Sequence, residues 1–391
     1  MKTKLIAFSC FCILILSVLP HHVVAQTVED MPPARNSSPI AYDSESERIV
    51  LFGGWKSDFT AADYNDTWSY HLNTNTWTEM SPATVPPARA GHALTYDIES
   101  DRIIMFSGHR TGGGGTLQNW NDTWAYDFNT DTWTNMNPTT MPPPRLMAWM
   151  TYDSESDICI LFGGICDGGN FYGDTWAYDY NTNNWTNMNP SNAPSNRVAA
   201  MTYDSESDKI ILYGGGGYIT WPIVMYTDTW VYDYNTNTWS EMNPAENPTS
   251  SNCDLAYDEE SDKVIMFGGA LDWYEENIVS ETWVYDYNTN TWEEKTPNPE
   301  PSPRARQYMT YDPESDKTVL YSGGQFEAPE SYNITNDLWA YDYNTDNWTK
   351  MMPIEPTEHT EPIDPFIIVV VVTAIAIITV VVIVIVRKIR T

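Results

Sequence analysis

Positive charge is scarce in this chain, and its scarcity limits the partners that the chain can bind. The 391 residues include 20 Lys and Arg against 53 Asp and Glu, which gives a formal net charge of −33. A surface this acidic repels nucleic acid and anionic lipid headgroups. We therefore exclude nucleic acid as a partner and expect a well-hydrated domain.

Cysteine and histidine are also rare. Five Cys are present, and two of them, Cys10 and Cys12, fall in an N-terminal apolar segment. The other three, Cys159, Cys166 and Cys253, are an odd number, which argues against a disulfide framework. We expect three buried thiols, and one disulfide pair stays an alternative. The six His form no spaced set of ligands, so we predict no metal and no cofactor.

The N-terminus has the features of an export signal. Residues 1–25 begin with Lys2 and Lys4, continue with an apolar run and end on small residues before Gln26. This order of charged, apolar and small residues predicts a secretory signal peptide. Residues 26–34 are then a short lead-in to the folded domain.

The C-terminus has the features of a membrane anchor. Residues 366–386 carry no charge and are apolar except for Thr373 and Thr379, and Arg387 follows them directly. A helix of this length matches the thickness of a bilayer core, and a lone strand in lipid would leave its backbone groups unsatisfied. We predict a single transmembrane helix in the cell membrane, a Pro-rich and acidic stalk at 353–365, and a cytoplasmic tail at 387–391.

A sixfold repeat fills the chain between these ends. The dipeptide Tyr-Asp recurs 51 to 56 residues apart, at Tyr42, Tyr96, Tyr152, Tyr203, Tyr257 and Tyr311. A Gly pair follows in five units, and Ser107-Gly108 takes its place in the second. An acidic-x-Trp step comes next, ending at Trp68, Trp124, Trp176, Trp230, Trp283 and Trp339. A second Trp lies nine residues later in every unit, at Trp77, Trp133, Trp185, Trp239, Trp292 and Trp348.

Each repeat predicts four short strands. In the third unit these are residues 147–152, 158–162, 175–180 and 185–188, separated by polar turns and by Gly163-Gly164. A sheet this small is apolar on both faces, and its best partner is a copy of itself. We therefore predict an all-β fold, a six-bladed β-propeller over residues 35–352. Because every unit contains its four strands in order, no closing strand needs to be exchanged.

The Gly pair, the Asp-x-Trp-x-Tyr-Asp step and the later Trp together resemble the kelch repeat over about residues 35–350. The resemblance implies the propeller fold but little about function, because kelch propellers include protein-binding adaptors, sugar-active enzymes and a copper oxidase. This sequence lacks a His and Tyr/Cys set of the kind that the copper oxidases use. Two departures are Ser107 in place of a Gly, and Ser250 where an Arg is expected in unit five.

The loops between the second and third strands are the least similar parts of the repeat. They carry large aromatic side chains, which offer flat surfaces to sugars or to partner side chains. The aromatic residues are Trp55, Trp120, Tyr172, Trp221, Trp273 and Phe326. We predict ligand binding here, with packing against neighbouring blades as the alternative.

An Arg precedes the first strand in five of the six units. These residues are Arg35, Arg89, Arg145, Arg197 and Arg304. The spacing predicts a partial ring near one mouth of the channel, where Arg could orient an anionic group of a ligand. The alternative is a salt bridge between blades or a bridge to backbone carbonyls.

Asn-x-Ser/Thr sequons occur along the exported part. They begin at Asn36, Asn65, Asn121, Asn184, Asn333 and Asn347. These are candidate glycosylation sites. A repeat made largely of Asn, Asp and Thr also produces such triplets without any glycan.

Together these features favour a recognition module that is displayed outside the cell and binds an extracellular protein or a glycan. No motif favours catalysis, but the many carboxylates leave glycoside hydrolysis open. The alternatives are a sugar-active enzyme, such as an oxidase, epimerase or hydrolase, and a structural component of a surface layer. The sequence alone leaves the ligand and the oligomeric state open.

Overall fold

A computed structural model of the chain describes residues 31–56, 63–111, 117–166, 168–217, 223–327 and 331–351. The predicted signal peptide, stalk, membrane helix and tail lie outside these residues, as does Trp221. Within the described part, no helix is both long enough and apolar enough to cross a membrane. The only helical segment of the described residues is a short 3-10 turn, Leu72–Thr74.

Six antiparallel sheets of four strands form the fold, and each sheet corresponds to one repeat. We call these sheets blades 1 to 6 in chain order. Blade 1 contains β1 (Ile40–Asp43), β2 (Arg48–Phe52), β3 (Thr67–His71) and β4 (Thr76–Glu79). Blade 2 contains β5 (Ala93–Asp97), β6 (Arg102–Phe106), β9 (Thr123–Asp127) and β10 (Thr132–Asn135). Blade 3 contains β11 (Trp149–Asp153), β12 (Ile158–Phe162), β13 (Thr175–Asp179) and β14 (Asn184–Asn187).

The second half of the ring follows the same plan. Blade 4 contains β15 (Val198–Asp204), β16 (Lys209–Gly217), β17 (Val224–Asp233) and β18 (Thr238–Glu241). Blade 5 contains β19 (Asp254–Asp258), β20 (Lys263–Phe267), β21 (Thr282–Asp286) and β22 (Thr291–Lys295). Blade 6 contains β23 (Tyr308–Asp312), β24 (Lys317–Tyr321), β27 (Leu338–Asp342) and β28 (Asn347–Met351). Two hairpins in the loops complete the set, β7 (His109–Thr111) with β8 (Leu117–Asn119) and β25 (Gly324–Glu327) with β26 (Ser331–Ile334).

The blades close into a ring around a central channel. The first strand of each blade contacts the first strand of the next, and β1 contacts β23. Blade 1 and blade 6 each contain four strands from one continuous stretch of chain, so the ring closes without an exchanged strand. This confirms the predicted six-bladed, all-β propeller and its strand order.

Turn chemistry explains why the strands begin and end where they do. Between β11 and β12, the Asp153 carboxylate accepts a hydrogen bond from the backbone N–H of Ser156, at 3.0 Å. Asp157 adopts a left-handed conformation, with φ of 58°, and accepts a hydrogen bond from the Tyr152 hydroxyl at 2.7 Å. The acidic turns are therefore backbone-capping turns, which is a common role of Asp in tight turns.

The second Trp of each repeat joins neighbouring blades. Trp185 of blade 3 packs on Phe106 of blade 2, with ring centroids 4.8 Å apart, and its indole N–H donates to the Thr123 hydroxyl at 2.9 Å. Blades 2, 4, 5 and 6 repeat this Trp-to-Thr bond to the preceding blade. The ring-closing interface differs, because buried Leu338 takes the place of the Thr opposite Trp77.

All three cysteines of the described part are free thiols. Cys159 and Cys253 are buried, as expected, whereas Cys166 is partly exposed. The sequence-based expectation of three buried thiols is therefore wrong for Cys166, which lies in the loop that follows β12.

Candidate binding site at one mouth of the channel

The five arginines that the sequence assigned to ligand binding are buried. Their exposed fractions are 0% to 1%. Each forms an ion pair with the acidic residue of the Asp-x-Trp step in its own blade, with N–O distances of 2.5 to 2.7 Å. The pairs are Arg35–Asp66, Arg89–Asp122, Arg145–Asp174, Arg197–Asp228 and Arg304–Asp337.

Blade 3 shows this arrangement in full. Arg145 donates to both carboxylate oxygens of Asp174, at 2.7 and 2.9 Å, and to the carbonyl of Gly163 at 2.8 Å. Tyr172 lies over the guanidinium, 4.1 Å from the ring centroid. Burial alone would raise the pKa of Asp174, but the hydrogen bonds and charge of Arg145 lower it. In blade 6, burial again opposes ionisation, but the hydrogen bonds and charge of Arg304 lower the pKa of Asp337 to about 2.

This geometry favours a structural role for the arginine set over ligand binding. A guanidinium that is fully buried and paired with a carboxylate, a carbonyl and an aromatic face has a structural function. Trp120 covers Arg89 in the same way, 5.4 Å from the ring centroid to the guanidinium carbon. For Trp120 and Tyr172 the structure thus places the aromatic ring against an arginine of its own blade.

Blade 5 has a different residue at each of the three positions that hold the Arg, the Asp and the aromatic residue in blades 1 to 4. Ser250 replaces the Arg, and its hydroxyl donates to the Gly268 carbonyl at 2.9 Å, the carbonyl position that Arg binds in the other blades. Glu281 replaces the Asp, and Val279 stands where blades 1 to 4 have an aromatic residue. Blade 5 is therefore held differently near the channel mouth.

The other predicted loop aromatics lie in different surroundings. Trp55 pairs with Asn36 through two backbone hydrogen bonds and is partly exposed. Phe326 lies in the loop hairpin, paired through its backbone with Tyr332. Among the predicted loop aromatics that the structure describes, Trp273 is the one that lines a cavity at the channel mouth.

That cavity, which we call the mouth pocket, measures about 160 Å³. It lies at the end of the channel where the first strands begin, beside the loops that follow the second strands. Its walls are mostly apolar and aromatic. Its lining includes Met147, Trp149, Trp273, Arg306, Gln307 and Tyr308.

Two aromatic rings from separate blades form the floor of the mouth pocket. Trp149 of blade 3 stacks on Tyr308 of blade 6, with ring centroids 5.8 Å apart. The Trp149 indole N–H donates to Asp254 of blade 5 at 3.0 Å, and the backbone N–H of Met309 donates to the other carboxylate oxygen at 2.6 Å. Burial raises the pKa of Asp254 to about 7.

A smaller cavity of about 60 Å³ shares Trp149 and Tyr308 with the mouth pocket. His92 also lines it, and within the described part neither ring nitrogen of His92 has a hydrogen-bond partner. Burial and the nearby charge of Arg89 lower the pKa of His92 well below its ordinary value, so this side chain is neutral. No group of three or more His, Cys, Asp or Glu among the described residues is placed to hold a metal ion.

An ion pair marks the rim of the mouth pocket. Arg306 Nε donates to Glu275 at 2.7 Å, and Glu275 is almost fully buried whereas Arg306 is one-third exposed. Trp273 packs edge-to-face on Phe171, with centroids 5.4 Å apart, and its ring covers Gly216 so closely that a Cβ there would clash. The rim is therefore built jointly by blades 3, 4, 5 and 6.

Sequence reasoning missed most of the residues of the mouth pocket, although a signal was present. Counting three residues back from each repeated Tyr gives Pro39, Ala93, Trp149, Ala200, Asp254 and Tyr308. Three of these six residues, Trp149, Asp254 and Tyr308, are large or charged, and their side chains meet in the channel. Comparing the repeats column by column at this position would have singled them out.

Five of the six sequon asparagines are at least partly exposed. These are Asn65, Asn121, Asn184, Asn333 and Asn347. Asn36 is fully buried next to Trp55. A glycan on Asn36 does not fit this fold, because the residue is fully buried.

Comparison with known proteins gives one consistent result. The chain matches the KLHDC2/KLHL20/DRC7 Kelch-repeats domain over residues 20–215 and 207–379. It is 28% identical over 291 residues to the dynein alpha chain of the flagellar outer arm from Chlamydomonas reinhardtii, covering 67% of this chain and 6% of that protein.

It is also similar to Kelch domain-containing protein 10. The identity is 25% over 293 residues for the Xenopus tropicalis protein, covering 69% of this chain and 66% of that protein. For the Homo sapiens protein it is 23% over 290 residues, covering 69% and 62%. The chain thus spans less than two thirds of the length of these relatives. The family match and the six four-stranded blades together show that this chain belongs to the kelch-repeat family of β-propellers.

Proposed function

We propose that this protein is a binding module whose mouth pocket accepts one side chain of a partner protein. The observation that carries the proposal is the mouth pocket itself, an apolar cavity walled by Trp149, Trp273 and Tyr308 on an otherwise acidic protein. Kelch propellers serve as protein-binding modules, and aromatic anchors in desolvated pockets supply much of the energy of protein interfaces.

The size of the mouth pocket supports a single anchoring side chain. Its volume of about 160 Å³ is below the range of roughly 300–1,000 Å³ that is typical of small-molecule sites. A partner would therefore insert one side chain and make its other contacts on the surrounding loops. Leu271 and Tyr274 in the blade 5 loop are 49% and 61% exposed, and they extend this apolar surface beyond Trp273.

The negative charge of this protein indicates which residues should flank the anchoring side chain in the partner. The chain has a formal net charge of −33, and an acidic surface attracts basic partners and speeds their association. We expect an apolar anchor flanked by Lys or Arg. Binding should weaken as the salt concentration rises, because exposed charges are screened within about 10 Å at 0.1 M salt.

We also propose that the propeller is displayed outside the cell, exported by residues 1–25 and anchored by residues 366–386. The apolar run and the basic residues after it support this topology. Protease added to intact cells should remove the propeller and leave an epitope tag placed after Thr391 protected. A tag that is cleaved while the propeller survives would reverse the topology.

A peptide selection tests the proposed function. The full-length chain, reconstituted in nanodiscs of uncharged lipid, is panned against a random peptide library and, in parallel, applied to a glycan array. We expect peptides with one apolar anchor and basic neighbours, which lose binding to Trp273→Ala. The matched control is Tyr311→Phe, at the opposite end of a blade 6 strand, which should retain binding. Glycan hits without peptide hits would refute the proposal.

A further inference from the structure

One polar side chain on the mouth pocket has an unused hydrogen-bond acceptor. Gln307 of blade 6 is 1% exposed and lines the mouth pocket. Its Oε1 is buried and has no hydrogen-bond partner among the described residues. Buried acceptors in folded proteins are nearly always paired, so an unpaired one beside a cavity calls for an explanation.

The orientation of this amide is fixed by its other end. Gln307 Nε2 donates to the carbonyl of Phe267 in blade 5 at 2.6 Å. Turning the amide over would place Oε1 against that carbonyl oxygen, which is also an acceptor. Oε1 is therefore the atom left without a partner.

Gln307 lies close to one glycine of blade 5 and one of blade 6. A Cβ at Gly268 would come within 3.0 Å of Gln307 Nε2, and a Cβ at Gly323 would come within 3.1 Å of Gln307 Cβ. The absence of a side chain at these two positions therefore leaves the space that Gln307 fills. The equivalent residues of the other blades are Ser38, His92, Ala148, Ala199 and Cys253, so this amide occurs once in the ring.

We infer that Gln307 selects a partner side chain that carries a hydrogen-bond donor on an aromatic ring, as Trp and Tyr do. The aromatic walls accept the ring, and a ring N–H or O–H satisfies Oε1. A ring without a donor would leave Oε1 unpaired in a desolvated pocket, which lowers affinity. This inference rests on the proposed function, since it concerns the side chain that enters the mouth pocket.

Two matched peptides test the inference. One is Lys-Trp-Lys, and the other contains 3-benzothienylalanine, whose sulfur replaces the indole N–H in a ring of nearly the same shape. Affinities are measured by titration calorimetry with the full-length chain in uncharged nanodiscs. We expect Lys-Trp-Lys to bind about tenfold more tightly, the effect of one buried hydrogen bond.

A variant tests whether Gln307 causes the preference for the peptide with an indole N–H. Gln307→Met keeps the length of the side chain and removes the acceptor, so the two peptides should bind it equally. Tyr311→Phe should keep the tenfold preference. Equal binding of both peptides to the unmodified chain would overturn the role of Gln307 and leave the proposed function standing. The inference also fails if neither peptide binds although a peptide selected from the library does. If the library yields no binding peptide either, the proposed function itself is refuted.

Discussion

Trp149 of blade 3 and Tyr308 of blade 6 stack across the channel, with ring planes inclined by 17°. Blades 3 and 6 face each other in a six-bladed ring, so the two rings close the channel between its ends. Asp254 of blade 5 holds the indole N–H from one side. The central channel is therefore divided, and the mouth pocket is closed at its base by residues that the repeat does not share.

Asp254 should make stability depend on pH. Burial raises its pKa from 3.8 to about 7, so the folded protein binds a proton more tightly than the unfolded chain does. This contribution to stability is fully present below about pH 4 and is lost as the pH rises through 7. We expect the unmodified chain to lose on the order of 3 kcal/mol more stability between pH 5 and pH 8 than Asp254→Asn does.

Urea denaturation at several pH values measures this difference. Other buried carboxylates, such as Asp97 and Asp204, also have raised pKa values because of burial, and they are common to both proteins. Their effect cancels in the comparison. Parallel stability curves for the two proteins would show that Asp254 titrates normally.

Breaking one buried arginine pair should be costly. Arg145→Met leaves the Asp174 carboxylate and the Gly163 carbonyl without their main donor, so we expect a loss of about 3–5 kcal/mol in the free energy of unfolding. Arg102→Met is the control, because Arg102 is 26% exposed and its pairs with Asp101 and Asp127 lie near the surface. There we expect a change within about 1 kcal/mol, and equal losses in the two variants would argue against the structural role.

Replacing Thr by Val should lower the stability of the folded protein at Thr175 but not at Thr318. The Thr175 hydroxyl accepts the indole N–H of Trp239 between blades, so Thr175→Val leaves that donor buried and unpaired and costs about 1–3 kcal/mol. The Thr318 hydroxyl is buried without a partner in the described part, so Thr318→Val should be neutral or stabilising. Thermal unfolding compares them, and a larger loss for Thr318→Val would contradict the assigned pairing.

Glycan attachment should follow exposure. In a host that adds N-linked glycans, Asn65→Gln should lower the mass of the exported protein by one glycan, since Asn65 is exposed. Asn36→Gln should leave the number of glycans unchanged, because Asn36 is buried. Intact-protein mass spectrometry distinguishes them, and a glycan on Asn36 would mean that the first blade folds differently.

The repeat predicted the fold well because its constant residues are those that the blade requires. The predicted strand at 158–162 agrees with β12, and the other strands of blade 3 differ by one or two residues at their ends. The ion pairs of the arginine set within each blade were not predicted, because the partners lie about 30 residues away in sequence. One clue was available: the unit that has Ser250 for Arg is also the unit that has Glu281 for Asp.

The mouth pocket was harder to predict for a physical reason. It depends on residues from five of the six repeats. Three of its side chains, Met147, Arg306 and Gln307, occupy repeat positions whose equivalent residues in the other units are unrelated in type. The periodicity of the sequence identifies the residues that are the same in every repeat. A site built from differences between repeats becomes visible only when the ring brings those positions together.

The most direct test of the central claim is whether an anchor enters the mouth pocket. The chain contains 16 methionines, and Met147 lines the pocket whereas Met80 follows an outer strand of blade 1. With methionine methyl groups labelled with ¹³C, and the Met147 signal assigned by Met147→Leu, the chain is titrated with Lys-Trp-Lys. The account predicts a saturable ring-current shift of the Met147 signal and none for Met80. Saturable binding that leaves the Met147 signal in place would contradict it.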